Sequence, residues 1–157
     1  MKKMNNKGFS LVELIIVIAI MAILVVVLAP QYLKYVEKSR NSTDLQSATE
    51  FKDACEIWAA DPEAGTGTTT AFAKGDNFTI TVTANGIDTT AGAIPAAVQS
   101  ALDNAGVAAS KFKCVSKTNW TKMVLKLEVQ DSGAIKWAYE DGSTENNFGA
   151  AMGANSN

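Results

Sequence analysis

The 157-residue chain is 47% hydrophobic and nearly balances its charges, with 14 lysines and arginines against 16 aspartates and glutamates. It has no histidine, so it lacks both the commonest metal ligand and the most versatile acid–base side chain. Without a basic stripe we expect no direct nucleic-acid site. No nucleophile–base pair, phosphate loop or metal cluster is visible either, so we expect no enzymatic activity, cofactor or metal.

The N-terminus joins a short basic segment to a long apolar one. Three lysines precede the 21 residues from Phe9 to Ala29, of which only Ser10 and Glu13 are not hydrophobic. As a helix rising about 1.5 Å per residue, this run is roughly 31 Å long, enough to cross a bilayer. The positive-inside rule then predicts that the basic end stays in the cytoplasm and that the rest of the chain lies outside.

Glu13 stands out because a carboxylate inside a spanning segment is costly to bury and by default indicates a functional site. The residues after the span, Pro30-Gln31-Tyr32, do not resemble the small-residue cleavage site of a secretory signal peptide. The small residue is instead Gly8, which lies before the apolar run. Cleavage after Gly8 would remove residues 1–8 and keep the apolar segment in the mature protein.

The segment Lys7-Gly8-Phe9-Ser10-Leu11-Val12-Glu13 resembles the N-terminus of type IV pilin and pseudopilin precursors, and Pro30 falls where many family members have a helix proline. The resemblance implies cleavage between Gly8 and Phe9 by a prepilin peptidase, followed by N-methylation of Phe9. It also implies that Phe9, Glu13 and Pro30 serve assembly, with Glu13 paired to the new amino terminus of a neighbouring subunit. An ordinary uncleaved signal-anchor is the alternative interpretation.

The apolar pattern predicts one long helix that reaches about Ala60. Residues 9–30 would form its apolar half, which spans the membrane and later fills the filament core, and residues 31–60 its amphipathic half. Pro30 predicts a kink, and Asp61-Pro62 predicts the helix end. The amphipathic half has one apolar stripe that we expect to face a globular head, formed by Leu45, Ala48, Phe51, Cys55 and Trp58.

Beyond this helix, the sequence predicts an α+β head with a small antiparallel sheet of about four strands. Residues 61–76 form a connecting loop, residues 77–141 contain the sheet, and the small, polar residues 142–157 are expected to be a loosely ordered tail. Alternation and turn residues place the strands at 77–84, 111–116, 122–130 and 134–139, the last two as a hairpin, with a short helix near 95–105.

The two cysteines and three tryptophans are the remaining candidates for a specific role. Cys55 on the helix stripe and Cys114 on a strand face point toward the same core, so they are a candidate disulfide in an oxidising compartment. The alternative is two buried thiols that act as small hydrophobes. Trp58 and Trp137 are assigned to core packing. Trp120 lies in a predicted turn, where we expect it to be exposed to a neighbouring subunit or a surface ligand.

The resemblance to type IV pilins predicts a structural role. It implies a single-pass cytoplasmic membrane protein that is later assembled into a helical homo-oligomeric filament on the bacterial surface, for adhesion, motility or DNA uptake. The implied partners are the prepilin peptidase/N-methyltransferase, an assembly ATPase, a platform protein and, before assembly, the membrane. Two alternatives stay open, namely a pseudopilin of a type II secretion or competence system and a membrane-anchored extracellular binding module.

Overall fold

A computed structural model describes residues 9–61, 63–90 and 92–153. The chain divides into two compact units, residues 1–38 and residues 39–157, and the second is called the head below. The longest helix, α1 (Leu11–Ala60), has residues in both units. The predicted leader (1–8), Pro62 and the last four residues of the predicted tail lie outside the described residues.

From Leu11 to Ala29, α1 is apolar on every face, with Glu13 as the one charged residue. The large apolar side chains from Phe9 to Leu28 are each at least 46% exposed. Over its most apolar 18 residues the mean hydropathy is 3.4, so by length and composition α1 is able to cross a membrane. The helix continues through Pro30, which has no N–H to donate to the carbonyl of Val26. The kink expected there stays a prediction.

In the head, α1 is buried along one stripe whose spacings of three and four residues follow the helical period. The predicted positions Ala48, Phe51, Cys55 and Trp58 are all buried, whereas Leu45 is only partly buried against the core. Asp44, one residue earlier, takes the fully buried position instead. The amphipathic second half of the long helix is therefore confirmed, with an unexpected carboxylate at its start.

The head contains a four-stranded antiparallel sheet, which confirms the predicted α+β class. The strands are β1 (Asn77–Thr83), β2 (Gly86–Ile87), β3 (Lys122–Val129) and β4 (Ile135–Glu140), in the order β2-β1-β3-β4. The hairpin β3–β4 is as predicted, with Val129 opposite Ile135. The two-residue strand β2 was not foreseen, because it is too short to show alternation.

A short helix, α2 (Ala96–Asn104), begins directly after Pro95, as the sequence predicts. It buries one face, made of Ala97, Val98, Ala101 and Leu102. In the chain, α2 and the segment after it connect β2 to β3. Their buried residues belong to the same core as those of α1 and the sheet. Phe51 of α1 lies edge-on to Phe112, with ring centroids 5.2 Å apart.

The predicted strand at 111–116 is wrong. Ala109–Lys111 form a 3₁₀ turn, and residues 112–116 run extended without joining the sheet as a strand. Burial alternates as predicted, with Phe112, Cys114 and Ser116 inward. The backbone N–H groups of Val115 and Ser116, however, donate to the carboxylate of Asp44 rather than to a neighbouring strand. The N–H of Cys114 donates to the carbonyl of Thr83 at the end of β1, so the Asp44 side chain replaces a strand partner only at Val115 and Ser116.

The expectation of a loosely ordered tail is also wrong for residues 142–153. These residues include a helix, α3 (Asn147–Ala151), whose Phe148 is fully buried. The carboxylate of Asp141 accepts hydrogen bonds from the backbone N–H groups of Ser143 and Phe148. Desolvation acts to raise the pKa of Asp141, but hydrogen bonds from Ser143, Phe148 and Asn147 hold it below its usual value. These small polar residues therefore form an ordered segment, held by the hydrogen bonds of Asp141, that packs around the Phe148 ring.

Candidate assembly site

The first turn of α1 is built around Ser10 and Glu13. The helix begins at Leu11, and the backbone N–H of Ser10 donates to a carboxylate oxygen of Glu13 at 2.9 Å. The backbone N–H of Leu14 donates to the Ser10 carbonyl at 3.2 Å. This is half of a capping box, in which the third helical residue reaches back to the N-cap N–H. A negative charge in the first turn also suits the helix dipole.

This local role for Glu13 was missed in the sequence analysis, although the signal was present. A serine followed three residues later by a glutamate, just before an apolar run, is the capping-box pattern. Glu13 therefore satisfies a backbone N–H of its own chain at the helix start. Its pairing with the amino terminus of a neighbouring subunit stays a prediction.

Of the two residues at the predicted cleavage site, the structure describes only Phe9. Gly8 lies outside the described residues, whereas Phe9 precedes the helix and is 81% exposed. Phe9 and Glu13 thus lie at the start of the same exposed apolar helix, and Pro30 lies within it. An apolar surface of this extent must be covered by lipid or by protein.

In the head, the most unusual group is the buried carboxylate of Asp44. Its side chain is 0% exposed. One oxygen accepts from the backbone N–H of Val115 at 2.7 Å, and the other accepts from the N–H of Ser116 at 2.9 Å and from the indole N–H of Trp120 at 2.8 Å. Cys114 Sγ lies 3.6 Å from the second oxygen. Hydrogen bonds to an ionised acceptor are the strong kind, so Asp44 fixes the segment 114–120 to α1.

Asp44 was also missed, and here too a signal existed. Asp44 precedes Ala48, Phe51 and Cys55 by four, seven and eleven residues, so it continues the apolar stripe by one more turn. A charged residue on such a stripe requires buried partners. The sequence does not show which residues those partners are, because they lie about 70 residues away.

The predicted disulfide between Cys55 and Cys114 is not formed, and the structure has both residues as thiols. They do share one core, as the sequence predicted. The thiol of Cys114 faces Asp44, whereas burial, with a smaller contribution from Glu56, raises the pKa of Cys55 to about 12. Cys55 is therefore not a reactive thiolate, because the nucleophilic form requires a lowered pKa.

The tryptophans follow the prediction in two of three cases. Trp58 is buried and donates to the carbonyl of Thr70 at 2.9 Å, and Trp137 is partly buried and donates to Glu56 at 3.0 Å. The expected exposure of Trp120 is wrong, since only 5% of this residue is exposed. The indole is drawn inward because the acceptor for its N–H, Asp44, lies in the core.

The described part of the chain offers no group of three or more His, Cys, Asp or Glu side chains arranged to hold a metal ion. The chemically distinctive features are therefore the exposed apolar helix with its Glu13-capped start and the well-anchored head.

Comparison with known proteins finds an N-terminal motif match and similarity to fimbrial proteins. The prokaryotic N-terminal methylation motif matches residues 3–29. The chain is 36% identical over 63 residues to one type IV major fimbrial protein FimA of Dichelobacter nodosus, covering 40% of each chain. A second FimA of that organism is 39% identical over 64 residues, covering 40% of this chain and 41% of the relative. No solved structure matches the chain significantly.

These matches span about two fifths of the length of the fimbrial relatives, so the similarity concerns part of each chain. The methylation motif falls on the leader and the apolar part of α1, where the sequence had suggested it. The motif, the similarity to fimbrial subunits and the long helix with its antiparallel sheet together support a type IV pilin.

Proposed function

We propose that this chain is cleaved between Gly8 and Phe9, N-methylated at Phe9 and assembled into a helical filament on the bacterial surface. The observation that carries the proposal is the exposed apolar surface of α1 from Leu11 to Leu28, which lipid or protein must cover. Lipid provides that cover before assembly, and the same helices of other copies provide it afterwards. The similarity to major fimbrial proteins favours a surface pilus over a pseudopilin.

Glu13 is the residue that we expect to guide assembly. A carboxylate and an amine in an apolar environment attract strongly, while each alone is costly to bury. Cleavage after Gly8 would create a new amine at Phe9, and a neighbouring Glu13 would neutralise it. A prepilin peptidase/N-methyltransferase, an assembly ATPase and a platform protein are the partners that this route requires. The filament would serve adhesion, motility or DNA uptake.

Mass spectrometry of the N-terminal peptide tests this proposal in two fractions, sheared surface material and membranes. We expect a peptide that begins at N-methylated Phe9 in the sheared fraction. The same processed peptide confined to membranes would instead indicate a pseudopilin of a secretion or competence system. An intact leader would leave only a membrane-anchored module, and the proposal would be wrong.

Two substitutions separate the two roles of Glu13. Glu13→Gln keeps a side-chain oxygen for the Ser10 N–H and removes the charge, whereas Glu13→Ala removes both. If pairing with the new amine drives assembly, both variants lose sheared filaments while remaining in the membrane. Glu128→Gln, an exposed charge removal in the head, is the control and keeps normal filaments. Normal filaments from Glu13→Gln would refute the pairing role and leave the cap alone.

A further inference from the structure

The head has an open groove between α1 and the segment that follows α2. The groove has a volume of about 790 Å³, which is larger than the volume of one aliphatic side chain. Its apolar lining includes Ala54, Ile57 and Val107, and Ile57 is 63% exposed although it lies on a well-packed helix. Ile57 thus gives the groove an accessible apolar centre.

The groove also carries negative charge. Glu50 and Asp53 line it, and both are exposed. Lys111 lies at 3.7 Å from Glu50, which leaves the lining with one negative charge in excess. Asp53 forms no ion pair with any of the described residues. A ligand for this groove would therefore combine an apolar group with positive charge.

The same head presents such a surface, which we call the ridge, formed by Lys113, Val115 and Lys117. The three residues are exposed and alternate in the chain with the buried Cys114 and Ser116. Val115 therefore has a lysine two residues before it and another two residues after it. The ridge is rigid, because Asp44 accepts from the backbone N–H of Val115.

The ridge is basic. It carries Lys113 and Lys117, and residues 112–127 contain no acidic residue, whereas the groove is lined by Glu50 and Asp53. Apolar contact and opposite charge thus match between two surfaces of one chain. In an interface, complementary charge sets register and partner choice, while burial of the apolar centre supplies affinity.

We propose that the ridge of one head docks in the groove of the head of a second copy, with Val115 against Ile57 and Lys113 near Asp53. Because groove and ridge consist of different residues, one copy can offer its ridge to one neighbour and receive the ridge of another. Such a heterologous contact does not need to close and suits a filament. The inference rests on the proposed function, since it assigns a head contact within that filament.

Cysteine cross-linking tests the contact directly in filaments of the full chain. Ile57→Cys and Val115→Cys chains are co-expressed, sheared and mildly oxidised. We expect a cross-linked dimer from the mixture and none from either variant alone. The native Cys55 and Cys114 are buried and provide no background. A dimer from one variant alone, or no cross-link from the mixture, would overturn the proposal.

Charge reversal gives an independent measurement. Lys113→Glu places like charges together and is expected to lower the yield of sheared filaments on the order of tenfold. Adding Asp53→Lys restores the opposite pair and is expected to recover most of that yield. Lys74→Glu, an exposed lysine in a loop away from both surfaces, is the control and keeps the wild-type yield. A double variant as poor as Lys113→Glu would contradict the docking.

These experiments separate two failures. If the unaltered chain yields no sheared filaments, the proposed function itself is wrong. If it yields filaments but the mixed cysteine variants do not cross-link, the filament is held by other surfaces and only the docking is wrong.

Discussion

Replacing Asp44 by alanine is the most informative perturbation of the head, because one buried carboxylate serves three N–H donors from a distant segment. The change would leave Ser116 N–H and the Trp120 indole N–H buried without an acceptor. Each such loss costs about 1–3 kcal/mol. The N–H of Val115 is only partly buried and can reach water, so it adds little.

The two buried donors therefore give a loss of roughly 2–6 kcal/mol. Removing the carboxylate also removes its own desolvation cost, which offsets part of that sum. We expect a net loss of about 2–4 kcal/mol. Asp44→Asn should be intermediate, at about 1–2 kcal/mol, because an amide keeps one acceptor oxygen but turns an N–H₂ group toward the remaining donors.

The assay is urea unfolding of the full chain in detergent, followed by tryptophan fluorescence. With a urea dependence of about 1–3 kcal/mol per molar, the midpoint of Asp44→Ala should fall by about 1 M or more. Asp53→Ala is the matched control, an exposed aspartate on the same helix, and should stay within about 0.5 kcal/mol of the unaltered chain. An Asp44→Ala midpoint equal to that control would refute the reasoning.

Three further predictions concern the rest of the core. Phe148→Ala should cost about 3–5 kcal/mol, since its ring is fully buried, and a loss below about 1 kcal/mol in urea unfolding would show that α3 is not part of the core. Burial, and to a smaller extent the charge of Glu56, raises the pKa of Tyr139 to about 12. The neutral phenol therefore contributes its full stability below about pH 10, and this contribution falls as the pH rises to 12. Tyr139→Phe should therefore flatten the decline of the urea midpoint over that window, and an unchanged decline would count against the assignment. Cys55, with its pKa raised to about 12, should resist iodoacetamide until the chain unfolds, whereas an engineered Ile57→Cys should be modified at once.

The sequence alone was sufficient for the features that depend on local pattern. The apolar run and its basic leader indicated the membrane segment, and the residues from Gly8 to Glu13 indicated the family. The helix stripe and the β3–β4 alternation were also readable, because periodicities of 3.6 and 2 follow directly from helix and strand geometry. Pro95 marked the start of α2 for a similar local reason.

Two of the failures have the same physical cause, which is that a distant residue changed the meaning of a local pattern. Residues 112–116 alternate like a strand, yet the carboxylate of Asp44 takes the place of a strand partner at Val115 and Ser116. Trp120 looked exposed in its turn, yet the same carboxylate accepts its indole N–H inside the core. The tail looked too polar to fold, yet one aromatic, Phe148, suffices when Asp141 and Asn146 satisfy the surrounding backbone.

The amino-acid sequence thus determined the long apolar helix segment, the resemblance to type IV pilins and the class of the head, since these require only hydrophobic periodicity and a local motif. Tertiary structure alone decided which polar group is buried, which segment it holds, and where exposed surfaces of opposite charge are displayed. Those outcomes depend on residues about 70 positions apart meeting in three dimensions. No local pattern encodes such a meeting, because hydrogen-bond partners are selected by the packed core and not by their neighbours in the chain.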